Sequence, residues 1–173
     1  LRQLGRLEEA LAAELQALEL ERALHGEASL EYADVAAGLA LTLQNLDRPT
    51  EAIPHAALAL AIRRRLLPAD HPRVADALEA LGLAQVAAGA SMPAIAALEE
   101  SLAIRRRVYG HEHPEILEGL NSLASALEDA ARLLDVEFLF AAGAPRELGD
   151  GLEEGADDLG LHRLAADAAQ ATD

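Results

Sequence analysis

Leu7, Leu11, Leu15, Leu18 and Ala23 fall three to five residues apart, the spacing that lines up side chains on one face of a helix. The pattern predicts a helix from Gly5 to about Leu24 with a single apolar stripe. Similar stretches follow, divided by short polar or glycine-containing breaks. They predict helices from about Leu30 to Leu46, Thr50 to about Leu67, Pro72 to about Ala88, Met92 to Tyr109 and Pro114 to about Ala130. Asp47-Arg48-Pro49 and Gly89-Ala90-Ser91 separate neighbouring helices, with Thr50 and Ser91 as expected N-caps and Gly110 as an expected stop. Pro54 falls in or just after a first turn, where a helix tolerates proline best.

The helices repeat as pairs. His71-Pro72 recurs as His113-Pro114, Ala61-Ile62-Arg63-Arg64-Arg65 as Ala103-Ile104-Arg105-Arg106-Arg107, and Ala52-Ile53 as Ala94-Ile95, all at an offset of 42 residues. Shared offsets of this kind mark a repeat protein, in which each unit buries its apolar faces only by stacking on its neighbours. The register gives a helical repeat domain over residues 1–142: an incomplete first repeat at 1–25, then repeats at about 30–67, 72–109 and 114–142. The first unit lacks a preceding helix, and the chain begins at Leu1 rather than Met, so a piece of a longer chain is expected. The second helix of the last unit is expected near Arg132, diverging at Phe138 and Phe140 as terminal repeats do. Small residues are expected at close helix contacts: Ala40, Gly82 and Ala124 on first helices, Ala52 and Ala94 on second helices. Residues 143–173 form a Gly-rich acidic tail, readable as a solvated linker or as a weak helix that caps the last repeat or lies in the groove.

Composition narrows the functional classes. Hydrophobic residues make up 51% of the 173-residue chain and aromatic residues only 2%, so alanine and leucine must fill the core. A formal net charge of −16 argues against nucleic acid and anionic membrane as partners and suits basic peptides or protein surfaces. The chain has no cysteine, hence no disulfide and no thiolate chemistry. It shows no membrane-length apolar run and no signal peptide, which points to a cytoplasmic location. All basic residues are arginine, as in a GC-rich bacterial genome.

Together the motifs resemble the tetratricopeptide repeat, in its long kinesin-light-chain-like form. His113-Pro114 followed by Leu120-Asn121-Ser122-Leu123-Ala124 carries the likeness, as do Glu51-Ala52-Ile53-Pro54 and Leu60-Ala61-Ile62-Arg63. It covers about residues 5–140, with Ala56, Gln85 and Leu98 standing where the family has tyrosine. The resemblance implies an all-α fold, helix-turn-helix repeats stacked into a short right-handed superhelix. It also implies a groove lined by first helices that holds an extended peptide. Carried over by position, the groove face comprises Asp34, Leu41 and Asn45 in the second unit, Asp76, Glu79 and Leu83 in the third, and Glu118, Asn121, Ser125 and Glu128 in the fourth. Only Asn121 keeps the family's peptide-clamping amide. The acids predict an anionic groove for a basic peptide, although Asp34, Asp76 and Glu118 also suit the positive N-terminal ends of their helices.

The expected function is a protein–protein interaction scaffold or sensor module. The alternatives are a regulatory region that packs on an effector domain of its parent chain, and a structural unit that self-associates through its exposed terminal repeats. An enzyme is not expected, since no phosphate loop, nucleophile elbow or HExxH motif is present, and no cofactor is implied. His111-Glu112-His113 has too few well-placed ligands for a metal site, and each His-Pro reads as a helix start with the histidine as cap. The two arginine triplets, at the ends of second helices, read as solvated helix ends that complement the helix dipole and pair partly with neighbouring acids, with a phosphate or acidic-partner patch as the alternative.

Overall fold

The computed structural model describes residues 2–141 in backbone and residues 5–134 in side chain. The expected tail at 143–173 and the expected divergence at Phe138 and Phe140 lie outside what the side chains describe. The described residues form six helices and no strand: α1 (Arg2–His25), α2 (Leu30–Asn45), α3 (Pro49–Leu66), α4 (Pro72–Ala87), α5 (Ser91–Tyr109) and α6 (Pro114–Ala141). Contacts divide the chain into two compact units, Leu1–Asp129 and Ala130–Asp173. The stacked pairs belong to the first unit, where each helix from α1 to α5 packs on the next.

Local chemistry sets the helix ends. Ser29 Oγ accepts from Tyr32 N at 3.1 Å and starts α2. Both His-Pro starts cap as expected: His71 Nδ1 accepts from Arg73 N at 3.1 Å, and His113 Nδ1 from Glu115 N at 3.3 Å. The other two expected caps are corrected. Arg48 precedes α3, which begins at Pro49, and Ala90 precedes α5, whose first residue is Ser91; at neither helix does the N-cap side chain accept from a backbone N–H. Proline lacks the N–H that would need an acceptor in the first turn, so α3 starts at Pro49, one residue before Thr50, without a side-chain cap.

Turns from first to second helix use a left-handed residue. Asp47 has φ 58° and Gly89, 42 residues later, has φ 78°. The same register position in the last unit is Ala131, flanked by Ala130 and Arg132. These are strong helix formers with no tolerance for positive φ. Accordingly α6 continues through 131 to Ala141, and the break expected there does not form.

Two buried clusters hold the pairs together. The first joins Ala33, Ala36, Leu39 and Leu43 of α2 with Ala52, Ala56, Ala59 and Ile62 of α3, and with Leu11 and Leu18 of α1. The second joins Val74, Ala75 and Leu78 of α4 with Ala97 and Ile104 of α5 and Leu60 of α3. Ala40, Ala52 and Ala94 are fully buried as expected, whereas Ala124 is exposed. The stripe expected on α1 divides: Leu11 and Leu18 are buried, but Leu15 is 46% exposed and Ala23 is exposed, because only one side of α1 meets α2.

Candidate functional site

First helices touch one another across the stack. α2 packs directly on α4. Gln44 Nε2 of α2 donates to the Ala80 carbonyl of α4 at 3.3 Å, and Ser122 Oγ of α6 donates to Glu79 Oε1 of α4 at 3.2 Å. Side by side, they form the face on which the candidate residues fall. Asp34, Leu41, Asn45, Asp76, Leu83, Glu118, Asn121, Ser125 and Glu128 are exposed there. Glu79 is the exception, with its side chain only 17% exposed. Leu41 and Leu83 share a register position and stand 59% and 39% exposed, while Ser125 fills that position in α6.

The acids on this face are not bare. Arg63 of α3 is 8% exposed; its Nη2 donates to Asp34 Oδ1 at 2.9 Å and its Nη1 to the Arg73 carbonyl at 3.2 Å. Arg73, opening α4, also donates to Asp34. The next pair repeats the arrangement. Arg105 of α5, 4% exposed, donates through Nη2 to Asp76 Oδ1 at 3.2 Å and to Glu79 Oε2 at 2.6 Å. Glu115 of α6 lies 3.4 Å from Arg105 Nε. Partial burial works against the Asp34 carboxylate, yet the hydrogen bonds from Arg63 and Arg73 outweigh it and hold its pKa below the ordinary range. Burial likewise disfavours the Arg105 cation, and the bond to Glu79, with help from Asp76 and Glu115, more than restores it.

The expectation that the triplets are solvated helix ends therefore needs correction at their first residue. Arg63 and Arg105 are buried ties between the two helices of a pair, whereas Arg64 and Arg65 remain exposed. Sequence carried a signal for this. Asp34 to Arg63 and Asp76 to Arg105 are both separations of 29 residues, so acid and base recur in one register. The charge around the two arginines nevertheless differs. Asp34 stands between two cations, Arg63 and Arg73. Arg105 stands among three acids, Asp76, Glu79 and Glu115. The cause is two register positions: one holds Ala37 in α2 and Glu79 in α4, the other Arg73 at the start of α4 and Glu115 at the start of α6. With Glu118 and Glu128 also exposed on α6, the face grows more negative from α2 towards α6.

Nothing on this face is arranged for covalent chemistry. His113 is occupied in capping α6, and its ring stacks on Tyr109 with centroids 4.6 Å apart. Among the described residues no group of three or more His, Asp or Glu is placed to hold a metal ion, and no helix is long and apolar enough to cross a membrane. What the face offers is fixed carboxylates, exposed leucines and the Asn121 amide.

The tetratricopeptide repeat family model matches residues 31–107. No curated protein matches the chain. Among solved structures the chain is similar to a protein of kinesin light chain type from Podosopora anserina, built of nearly identical TPR-like repeats. Identity is 22% and the TM-score 0.70, over 97% of this chain and 82% of that one. A point variant of that protein gives a TM-score of 0.67 at the same identity and coverage. The chain is also similar to BtubC (BKLC) from P. vanneervenii, at 20% identity and a TM-score of 0.58, over 82% of this chain and 60% of that one. Likeness at these identities is a likeness of fold. Residues 31–107, spanning almost all of α2 to α5, thus match the tetratricopeptide repeat, and the chain has an all-α repeat fold like that of kinesin-light-chain-type proteins.

Proposed function

We propose that the chain is a protein–protein interaction module that holds an extended partner segment along the exposed face of α2, α4 and α6. Tetratricopeptide repeats are in general protein-binding modules. The observation that carries the reading is the register match of Leu41 and Leu83, large apolar side chains left exposed on successive first helices beside arginine-fixed carboxylates. Exposed leucines set among ordered polar groups favour an apolar anchor with a polar rim. Asn121, exposed on α6, supplies an amide that can both donate to and accept from a peptide backbone. The charge gradient favours a segment whose basic end lies towards α6 and whose neutral or acidic end lies over Asp34 and its two arginines.

A random-peptide display library panned on the chain tests this reading. A variant carrying Leu83→Asp and Asn121→Ala serves as comparison, since both positions are exposed and neither supports the core. Peptides with basic residues towards one end, enriched on the chain and not on the variant, are expected. No enrichment, or equal enrichment on both, removes the reading.

A further inference from the structure

The first helices present their exposed side chains at a fixed spacing. Leu41 of α2, Leu83 of α4 and Ser125 of α6 occupy one register position, at intervals of 42 residues, and all three are exposed. The Gln44 bond to the Ala80 carbonyl joins α2 to α4, and the Ser122 bond to Glu79 joins α4 to α6, so the three helices lie side by side. Helices in direct contact have axes about 8–10 Å apart. A chain crossing them therefore meets an equivalent position at each step of about 8–10 Å.

That step discriminates between backbone conformations. A β-strand rises about 3.3 Å per residue and alternates its faces, so side chains on one face recur at about 6.6 or 13 Å. Neither distance matches the helix spacing. An α-helix returns to one face after two turns, at about 10.8 Å, just beyond the range. A polyproline II helix has three residues per turn and rises about 3.1 Å per residue, so every third side chain returns to one face after about 9.3 Å.

The three positions differ in what surrounds them. One turn to either side of Leu41 stand Ala37 and Gln44, of Leu83 Glu79 and Val86, and of Ser125 Asn121 and Glu128. Ala37 and Val86 are half-buried and apolar, Gln44 is bonded to Ala80, and Glu79 is bonded to Arg105 and Ser122. The neighbours of Leu41 and Leu83 are thus apolar or already hydrogen-bonded, which suits apolar contacts. Around Ser125 the small side chain leaves room, and the Asn121 amide and Glu128 carboxylate are both exposed. A carboxylate in that place recognises a cation. The Asn121 amide can donate to a backbone carbonyl, a group that proline keeps although it lacks the N–H.

Given the protein-binding role proposed above, on which this rests, we propose that the segment held on the face is a polyproline II helix. Its contact residues fall at every third position: apolar over Leu41, apolar over Leu83 and basic over Ser125, between Asn121 and Glu128.

Labelled peptides titrated against the full chain by fluorescence anisotropy test this. The reference peptide carries leucine, leucine and arginine at every third position, with proline between them. Comparison peptides place the same residues at every second or every fourth position in proline, at every third in glycine and serine, and at every seventh in an alanine helix. Each is made in both chain directions. One direction of the reference should bind best, by about tenfold or more over each comparison, because the proline host is already ordered. Glu128→Arg, at an exposed position, should leave helix content by circular dichroism unchanged. On that variant a reference peptide with glutamate in place of its arginine should bind more tightly than the arginine form, the reverse of the order on the unmodified chain. Tightest binding at another spacing, in the glycine–serine host or in the helix, overturns the polyproline assignment; if Leu83→Asp still abolishes that binding, the protein-binding role of the face stands. An unchanged preference on Glu128→Arg overturns the basic position. Binding by none of the peptides overturns the assignment as well, and the library panning above then decides whether the binding role falls with it.

Discussion

A Cβ added at Gly82 of α4 would fall 2.7 Å from Leu98 Cγ of α5. In the preceding pair the same two positions are Ala40 and Ala56, both buried in one cluster. Each pair therefore balances its two sides: glycine against leucine in one, alanine against alanine in the other. Leu98 is 1% exposed and has little room to retreat. Gly82→Ala should destabilise the chain by about 1–2 kcal/mol, overpacking outweighing the better helix propensity of alanine. Leu98→Ala should cost about 2–4 kcal/mol. The double substitution rebuilds the Ala40/Ala56 arrangement, so Gly82→Ala should become neutral or stabilising in the Leu98→Ala background. Urea unfolding of the four chains, read as a double-mutant cycle, checks this.

Arginines adjacent in sequence should differ in what they contribute. Arg105→Ala removes a buried cation that ties α5 to Asp76, Glu79 and Glu115, and leaves the largely buried Glu79 carboxylate with the Ser122 hydroxyl but no cation. The expected loss is about 2–3 kcal/mol, less than for a wholly buried pair because Asp76 is 56% exposed. Arg64 pairs with Glu100 in the open, and Arg64→Ala should change stability by no more than about 0.5 kcal/mol. Thermal unfolding midpoints distinguish the two.

The helices and their pairing were legible because apolar periodicity and a 42-residue offset act over many residues and reinforce one another. Single residues were less so. The choice between Pro49 and Thr50 as the start of α3 depends on backbone geometry that no pattern encodes. The continuity of α6 could have been read from Ala131, which stands where Asp47 and Gly89 take positive φ. Of the candidate face, the leucines and Asn121 were placed by the family resemblance, and they stand exposed. Glu79 does not, because its burial depends on Arg105 reaching across from another helix. Arg63, Arg73, Arg105 and Glu115 belong to the same face but escaped a reading in which each helix was considered separately.

His55 introduces a pH dependence. Burial lowers its pKa, against a smaller opposing pull from Glu51. As pH falls, the unfolded chain takes up that proton before the folded chain does. The stability contributed by neutral His55 is thus complete above the ordinary histidine value of about 6.5 and is lost as pH falls through the depressed folded value. His25, raised by its bond to Glu21, acts in the opposite sense. A comparison with His55→Gln isolates the effect. Between about pH 7.5 and 5.5 the unmodified chain should lose more stability than the variant, as judged by urea midpoints.

Salt should weaken the peptide contact proposed for this chain. A basic peptide on the α4–α6 end of the face is held partly by attraction to those acids, so its affinity should fall with salt.

The central claim is that the face of the first helices binds protein, and one affinity comparison tests it most directly. A peptide selected on the chain is labelled, and its Kd is measured by fluorescence anisotropy on the unmodified chain, on Leu83→Asp and on Leu66→Asp. Leu83 lies on the proposed face; Leu66, 45% exposed at the end of α3, does not. The account predicts that Leu83→Asp weakens binding about tenfold or more, the loss of an anchor residue, and that Leu66→Asp leaves it unchanged. Equal affinity on all three chains, or a loss confined to Leu66→Asp, would contradict it.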